Sequence, residues 1–323
     1  MRAAVCAEYG PPEVVRPTTV ASPRADADQV RVRVVAAAVN YPDVLLIADR
    51  YQISVPPPFV PGSEFAGTVI EVGARVHGFA VGDRVCGSGM HGAFAEEVVV
   101  GAGALVRIPD GVDARSAAAF GVAHRTAYHA LRSAARVGDG DSVIVLGAGG
   151  GVGLAAVRCA TLLGARVTAV ASSAEKLAAA RDHGATTLVD HLAGDLRAAL
   201  REAVPHGANA VLDPVGGDLS EPALRCLARG GRFVTIGYAS GRIPEIPLNL
   251  VLVKGVHILG FQFRDVDPAE FRRNEEELWA LLASNRLRPH IGATYPLDEA
   301  AAALRHVAEG RAVGKVVIDI AET

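Results

Sequence analysis

Residues 143–157, VIVLGAGGGVGLAAV, constrain the fold of this chain more than any other stretch. An apolar, β-branched run of strand length meets a cluster of glycines and continues into an alanine-rich helical pattern. The spacing is A-x-G-x-x-G through Ala148, Gly150 and Gly153, with Ala148 standing where the dinucleotide fingerprint has its first glycine. Bare backbone at Gly149, Gly150 and Gly151 would let a pyrophosphate approach. Gly153 would let the helix pack close to the strand, and the helix N-terminus favours negative charge. Alone, such a run also fits an ordinary tight turn; its surroundings decide.

Those surroundings alternate. SVIVLG precedes VGLAAVRCATLLG, ARVTAVA precedes AEKLAAARDHG, TTLVD precedes DLRAALREA, NAVLD precedes LSEPALRCLARG, and GRFVTIG and VHILGFQF follow. Strand–helix alternation of this kind predicts right-handed βαβ units and a doubly wound parallel sheet, an α/β fold. The chain before Asp113 reads differently: Val30, Val32 and Val34 alternate as in a half-buried strand, EFAGTVIEVG and FAEEVVV are β-rich, and VPPPFVPG is a loop because proline has no N–H for a ladder. At 323 residues the chain is long enough for two cores, a β-rich one and a parallel α/β one.

The strand ending at Ala171 should finish beside the adenosine ribose of a bound dinucleotide. An NAD site usually has a carboxylate there, but this chain has Ala171, Ser172 and Ser173, with Lys176 one turn on. A carboxylate would repel a 2′-phosphate by roughly 3 kcal/mol per unit charge at about 5 Å and an effective dielectric near 20. Its absence, two hydroxyls and a cation favour NADPH over NAD. The ordinary alternatives are a helix-capping serine and a solvated lysine. Only three lysines stand among 32 basic residues, so each invites scrutiny.

A formal net charge of −3 gives no electrostatic reason to expect nucleic acid or an anionic membrane as partner. The N-terminal MRAAVCAEYGPPE lacks the apolar core of a signal peptide, and the longest uncharged stretch, 142–157, is short and glycine-rich. Cys6, Cys86, Cys159 and Cys226 are scattered, which suggests neither a disulfide framework nor a cysteine-rich metal site and fits a cytoplasmic protein.

Together, AAAVNYPDVLLIADRYQ, PPFVPGSEFAGTV, VGDRV, RTAYHAL, GAGGGVG, SSAEKL and GKVVI, in this order over nearly the whole chain, resemble the medium-chain dehydrogenase/reductase superfamily. Within it they resemble the zinc-free NADPH:quinone oxidoreductase branch. The resemblance implies a GroES-like catalytic domain from both chain ends, 1–118 and 263–323, around a Rossmann domain at 119–262. It implies a homodimer through the last Rossmann strand, near VHILGFQF. Zinc-dependent relatives place their catalytic ligands at positions that align with Asn40, Ser63 and Val122. None of these replaces a thiolate or imidazole, so no metal is expected.

Carried over by position, Tyr51 reaches cofactor or substrate, Gly149, Gly150, Gly151 and Val152 hold the pyrophosphate, and Thr126 packs close to the nicotinamide. His191 lies on the adenosine side, while Gly237, Tyr238, Phe261, Gln262 and Phe263 form the nicotinamide-side wall. Ordinary readings stand beside these: Tyr51 as an amphipathic rim residue, His191 as a loop histidine, and Phe261 and Phe263 as core or dimer packing. His124 and His129, five apart on one helix, are poorly placed to share a ligand.

Without a metal, hydride transfer rests on positioning the acceptor, for which Tyr51 and Asn40 are the candidates. A small-molecule quinone or enone is the expected substrate. An enoyl-thioester reductase and a weakly catalytic NADPH-binding protein are the alternatives. Preference for enoyl-CoA over simple quinones would mark the first, and NADPH binding without turnover the second.

Overall fold

The computed structural model describes residues 1–321. The chain divides into two compact units, Met1–Val122 with Arg288–Thr323, and Ala123–Leu287. The second unit holds a six-stranded parallel sheet. Its spatial order is Thr187–Asp190, Arg166–Ala171, Ser142–Leu146, Ala208–Asp213, Leu227–Thr235, His257–Gly260. The order runs outward in both directions from Ser142–Leu146, so the switch point lies between that strand and Ala208–Asp213. Ile144, Leu146, Val170, Val211 and Phe233 from the strands pack with Leu200 and Leu224 from the helices. Each such buried side chain contributes about 1.5–3 kcal/mol of transfer free energy.

The first unit is built on the eleven-residue strand Gln29–Val39. Its residues Val30, Val32 and Val34 are wholly buried and pack with Phe65, Val69, Val85, Phe94 and Ile318. Glu64–Val72 pairs antiparallel on one side and Lys315–Asp319 antiparallel on the other. Ile291–Pro296 lies parallel beside Lys315–Asp319. The register sets Val316 opposite Val39 and Glu64 opposite Ala38, which brings Lys315, Asn40 and Glu64 to one end of three adjacent strands.

The elements depart from the sequence pattern in places. LSEPALRCLARG reads as one helix, yet only Ser220–Arg225 is α-helical and Leu227 already pairs with Ala208 in the sheet. Pro222 is tolerated because it lies in the first turn, where its missing N–H has no partner to lose. Two short helices, Tyr41–Ile47 and Leu248–Lys254, have too few residues to show a period. The helix Pro268–Ala283, placed by the 263 boundary with the first domain, falls in the second unit. It is tied there by side chains on one face: Asn274 donates to Ser133, Glu275 accepts from Arg125, and Glu277 accepts from Tyr128 and Arg132. All four cysteines are buried and none is in a disulfide, and no helix among the described residues is long and apolar enough to cross a membrane.

Candidate functional site

The glycine loop follows Ser142–Leu146 directly and ends in the helix Gly151–Leu162. Gly147, with φ +60°, makes the tight turn, one position before Ala148. That is why alanine can occupy the fingerprint's first glycine position. Gly153 is the close-packing glycine: a Cβ there would lie 2.0 Å from the Gly147 carbonyl oxygen. Gly150 sits at the N-cap without a side-chain cap, which leaves the first-turn N–H groups of Gly151 and Val152 for a ligand. At Gly149 a Cβ would lie 2.4 Å from Lys176 Cβ, so the lysine stem runs directly over the loop.

Ser172, Ser173 and Lys176 follow the strand Arg166–Ala171 and are all half-buried. Ser173 caps the helix Ala174–Asp182, its Oγ accepting from the Lys176 N–H at 3.3 Å. Lys176 Nζ lies 3.5 Å from Ser172 Oγ. Burial pulls the Lys176 ammonium below the usual lysine range, with Glu175 opposing. A bound phosphate would reverse that penalty. The His191 N–H donates to the Ala171 carbonyl at 3.1 Å, and burial lowers the pKa of its imidazole. Asp190 pairs with Ala171 across the ladder, and its Oδ1 accepts from the Leu192 N–H.

At the carboxyl end of Ala208–Asp213, the wholly buried Asp213 accepts from the Val215 and Gly216 N–H groups and from the Ser220 hydroxyl. This carboxylate fixes the loop on which the next one rests. Ala239 N–H donates to the Pro214 carbonyl, and a Cβ on Gly216 would meet Tyr238 at 2.8 Å, which sets Gly237 and Tyr238 against the same loop. Sequence reading missed Asp213 because NAVLD reads as the end of a strand. Phe261 and Phe263 meet edge to face at 5.2 Å, with Gln262 between them. Phe263 also contacts His129 and lies under the Arg125 guanidinium. His129 is wholly buried, with Nε2 2.9 Å from Glu275 Oε1. Thr126 is half-buried on the helix Ala114–His129.

In the first unit, Asn40, Ser63, Glu64 and Lys315 converge. Asn40 Nδ2 donates to Glu64 Oε1 at 2.9 Å and to Ser63 Oγ at 3.2 Å. Lys315 Nζ donates to Glu64 Oε1 and Asn40 Oδ1, both at 2.6 Å, and to the Val39 carbonyl at 3.1 Å. Glu64 Oε2 accepts from the Val122 N–H at 2.8 Å. Asp43 closes the cluster, its Oδ2 accepting from the Asn40 N–H at 2.7 Å. Burial pushes the Asp43 carboxyl up to about 7, against hydrogen bonds from Asn40 and Ser63 and the Lys315 charge, with Glu64 adding to the rise. Glu64, Asp43 and Lys315 escaped sequence reading, since their meeting depends on strand register. Tyr51 is half-buried and packs on the rim of this unit's core.

A parallel sheet with a glycine loop at its first strand, joined to a β-rich unit drawn from both chain ends, defines a nucleotide-dependent oxidoreductase of the medium-chain class. Comparison with known proteins agrees. The alcohol dehydrogenase GroES-like domain matches residues 26–110, and the zinc-binding dehydrogenase family matches residues 151–284. Quinone oxidoreductase-like protein 2 of Bos taurus is 38% identical over 99% of this chain and 92% of its own length. An NAD-dependent alcohol dehydrogenase structure superposes with a TM-score of 0.90 at 32% identity, covering 99% of this chain and 100% of its own. Mycobacterial Rv1454c, solved with NADPH, gives 0.91 at 31% over the same shares. The chain belongs to the quinone oxidoreductase branch of the medium-chain dehydrogenase/reductase superfamily.

The zinc-binding description of one matching family does not fit the donors present. Asn40, Ser63 and Val122 supply a carboxamide, a hydroxyl and an apolar side chain, and a buried ammonium lies 2.6 Å from the adjacent carboxylate. A dication there would face a fixed positive charge. A dinucleotide does fit its loop, since the open backbone at Gly150 and the uncapped helix start are what a pyrophosphate requires.

Proposed function

We propose that this protein is an NADPH-dependent reductase that transfers hydride to quinones or related α,β-unsaturated carbonyl compounds without zinc. The observation that carries this reading is the Lys176 ammonium, beside Ser172 and with its stem over Gly149, at a strand end that offers no carboxylate of its own. Bound NADPH would supply the hydride. The chain's residues do the rest: backbone at Gly149, Gly150, Gly151 and Val152 receives the pyrophosphate, and Ser172, Ser173 and Lys176 receive the 2′-phosphate. His191 lies on the adenosine side. Thr126, Gly237, Tyr238, Phe261, Gln262 and Phe263 line the nicotinamide side. Tyr51 orients the acceptor, and Asn40 contributes through Ser63, whose Oγ its amide holds. No protein acid is required, because a reduced quinone oxyanion is delocalised and takes its proton from water.

The same reading takes the protein as a cytoplasmic homodimer acting on a small molecule. Four buried cysteines, none in a disulfide, suit a reducing compartment. The strand His257–Gly260 lies at the open edge of its sheet. Leu248, Leu252 and Val253, on the helix just before it, are 75%, 83% and 70% exposed. An open edge beside unpaired apolar side chains suits pairing with a second copy.

Steady-state oxidation of NADPH by simple quinones and enones tests the function. Turnover with either supports it, and tight NADPH binding without turnover of either class overturns it. A large preference for enoyl-CoA would instead favour the enoyl-thioester reading.

A further inference from the structure

We propose that Lys315 is the built-in cation of the Asn40–Ser63–Glu64 cluster: its ammonium stands where a divalent ion would stand and holds the Asn40 carboxamide in one orientation. The inference rests on the metal-independent part of the reading above and is indifferent to the acceptor.

The argument begins with register. Because Val316 faces Val39 and Glu64 faces Ala38, the side chains of Lys315, Asn40 and Glu64 leave three neighbouring strands at the same end. The Lys315 and Glu64 side chains are only 4% and 1% exposed. An ammonium has three N–H donors, and here three oxygens receive them: Glu64 Oε1, Asn40 Oδ1 and the Val39 carbonyl. The group is therefore saturated and has no proton left to offer a substrate. It supplies charge and orientation.

The orientation follows from the charge. With Oδ1 against the ammonium, the Asn40 amide nitrogen must face Glu64 and Ser63, and the flipped amide would set N–H groups against Nζ. Ser63 Oγ is thereby committed as an acceptor from Asn40, which directs its own hydroxyl hydrogen to the Asp43 carboxyl. Lys315 is thus a positioning residue for Asn40 and, through it, for Ser63.

Removing the ammonium would leave the same three oxygens around a void, with the Asp43 carboxyl near by. All-oxygen donor sets of this kind suit hard dications better than zinc. Burial of two acidic side chains without a cation is costly, so the vacated place should either take up a dication or destabilise the unit.

The test compares wild-type protein, Lys315→Ala, and Lys315→Ala/Glu64→Gln, each stripped with chelator and titrated with Mn²⁺ alone, binding being followed by electron paramagnetic resonance. The expected result is a site of about one ion per chain in Lys315→Ala, at least about tenfold tighter than in wild type and abolished by the added Glu64→Gln. Equal Mn²⁺ affinity in wild type and Lys315→Ala overturns the proposal. Stoichiometric zinc required for wild-type turnover overturns instead the metal-free reading beneath it. If Lys315→Ala does not fold, Lys315→Met and Lys315→Met/Glu64→Gln decide by urea denaturation. Recovery of stability in the double variant supports the charge-balancing role, and a double variant no more stable than Lys315→Met overturns it.

Discussion

The Lys176 side chain lies across Gly149 so closely that a Cβ on the glycine would sit 2.4 Å from Lys176 Cβ and 2.5 Å from its Cγ. Gly149 lies in the loop after the first strand of the parallel sheet and Lys176 in the first turn of the helix after the second, and each needs the other's shape. Gly149→Ala should therefore displace Lys176 and weaken NADPH binding about tenfold or more. Lys176→Ala in the same chain should not restore it, since the clash with Cβ remains. Fluorescence titration of the single and double variants checks this, and restored affinity in the double variant would refute the packing argument.

Lys176→Ala alone addresses the phosphate. Loss of one charge-assisted contact is expected to weaken NADPH binding by about 1.5–3 kcal/mol, roughly ten- to a hundredfold, while NADH binding changes little. Isothermal titration with both nucleotides measures the difference, and equal losses would show that the lysine does not meet the 2′-phosphate.

The Asp43 carboxyl, buried and pushed up to about 7, makes stability depend on pH. Its unfolded value is about 3.9, so the folded chain favours the protonated acid. The stabilisation is then fully present below about pH 4 and is lost as pH rises through about 7. Urea midpoints should fall between pH 5 and 8 in wild type, and Asp43→Asn should flatten that component of the slope. An unchanged slope in the variant would assign the pH dependence to other groups.

The parallel sheet and its glycine loop were legible in the sequence because both are local: a run of β-branched residues, a turn and a helix lie within fifteen positions. The role of Ser173 as a helix cap was legible as an alternative for the same reason. The cluster around Lys315 was not, because Asn40 and Lys315 are 275 residues apart and meet only through ladder register. GKVVI shows that a lysine begins a strand, without showing which residue that strand brings opposite it. Asp213 hid in another way, as a polar end to an apolar strand whose work is to hold backbone N–H groups that no pattern reveals. The helix Leu248–Lys254 was illegible because its apolar residues include an exposed set, which masks the period that burial would impose.

Glu275 joins the helix Pro268–Ala283 to Arg125 and His129 within the second unit. Burial pushes its carboxyl up, but hydrogen bonds and charge from His129 and Arg125 outweigh it and hold the pKa below the usual range. Its stabilising contribution is accordingly present above the ordinary glutamate range and lost as pH falls through the lowered value. Glu275→Ala should cost about 2–4 kcal/mol by leaving both partners unpaired, and Glu275→Gln less. Thermal unfolding at pH 7 reads the difference. Indistinguishable midpoints would mean that Glu275 does not hold the helix.

The proposed dimer gives a prediction of a different kind, because it depends on surface the folded chain leaves uncovered. Leu252 is 83% exposed on a helix that leads to the edge strand His257–Gly260. An arginine there should be harmless to an isolated chain, since it adds a solvated charge at an open position. In a dimer buried through this edge, the two arginines of an isologous interface would face burial without partners, a penalty of several kcal/mol per ion. Sedimentation of wild-type protein should therefore show a dimer, and Leu252→Arg should shift it to monomer while NADPH affinity is retained. A wild-type monomer, or a variant that stays dimeric with unchanged affinity between copies, would place the contact elsewhere on the surface.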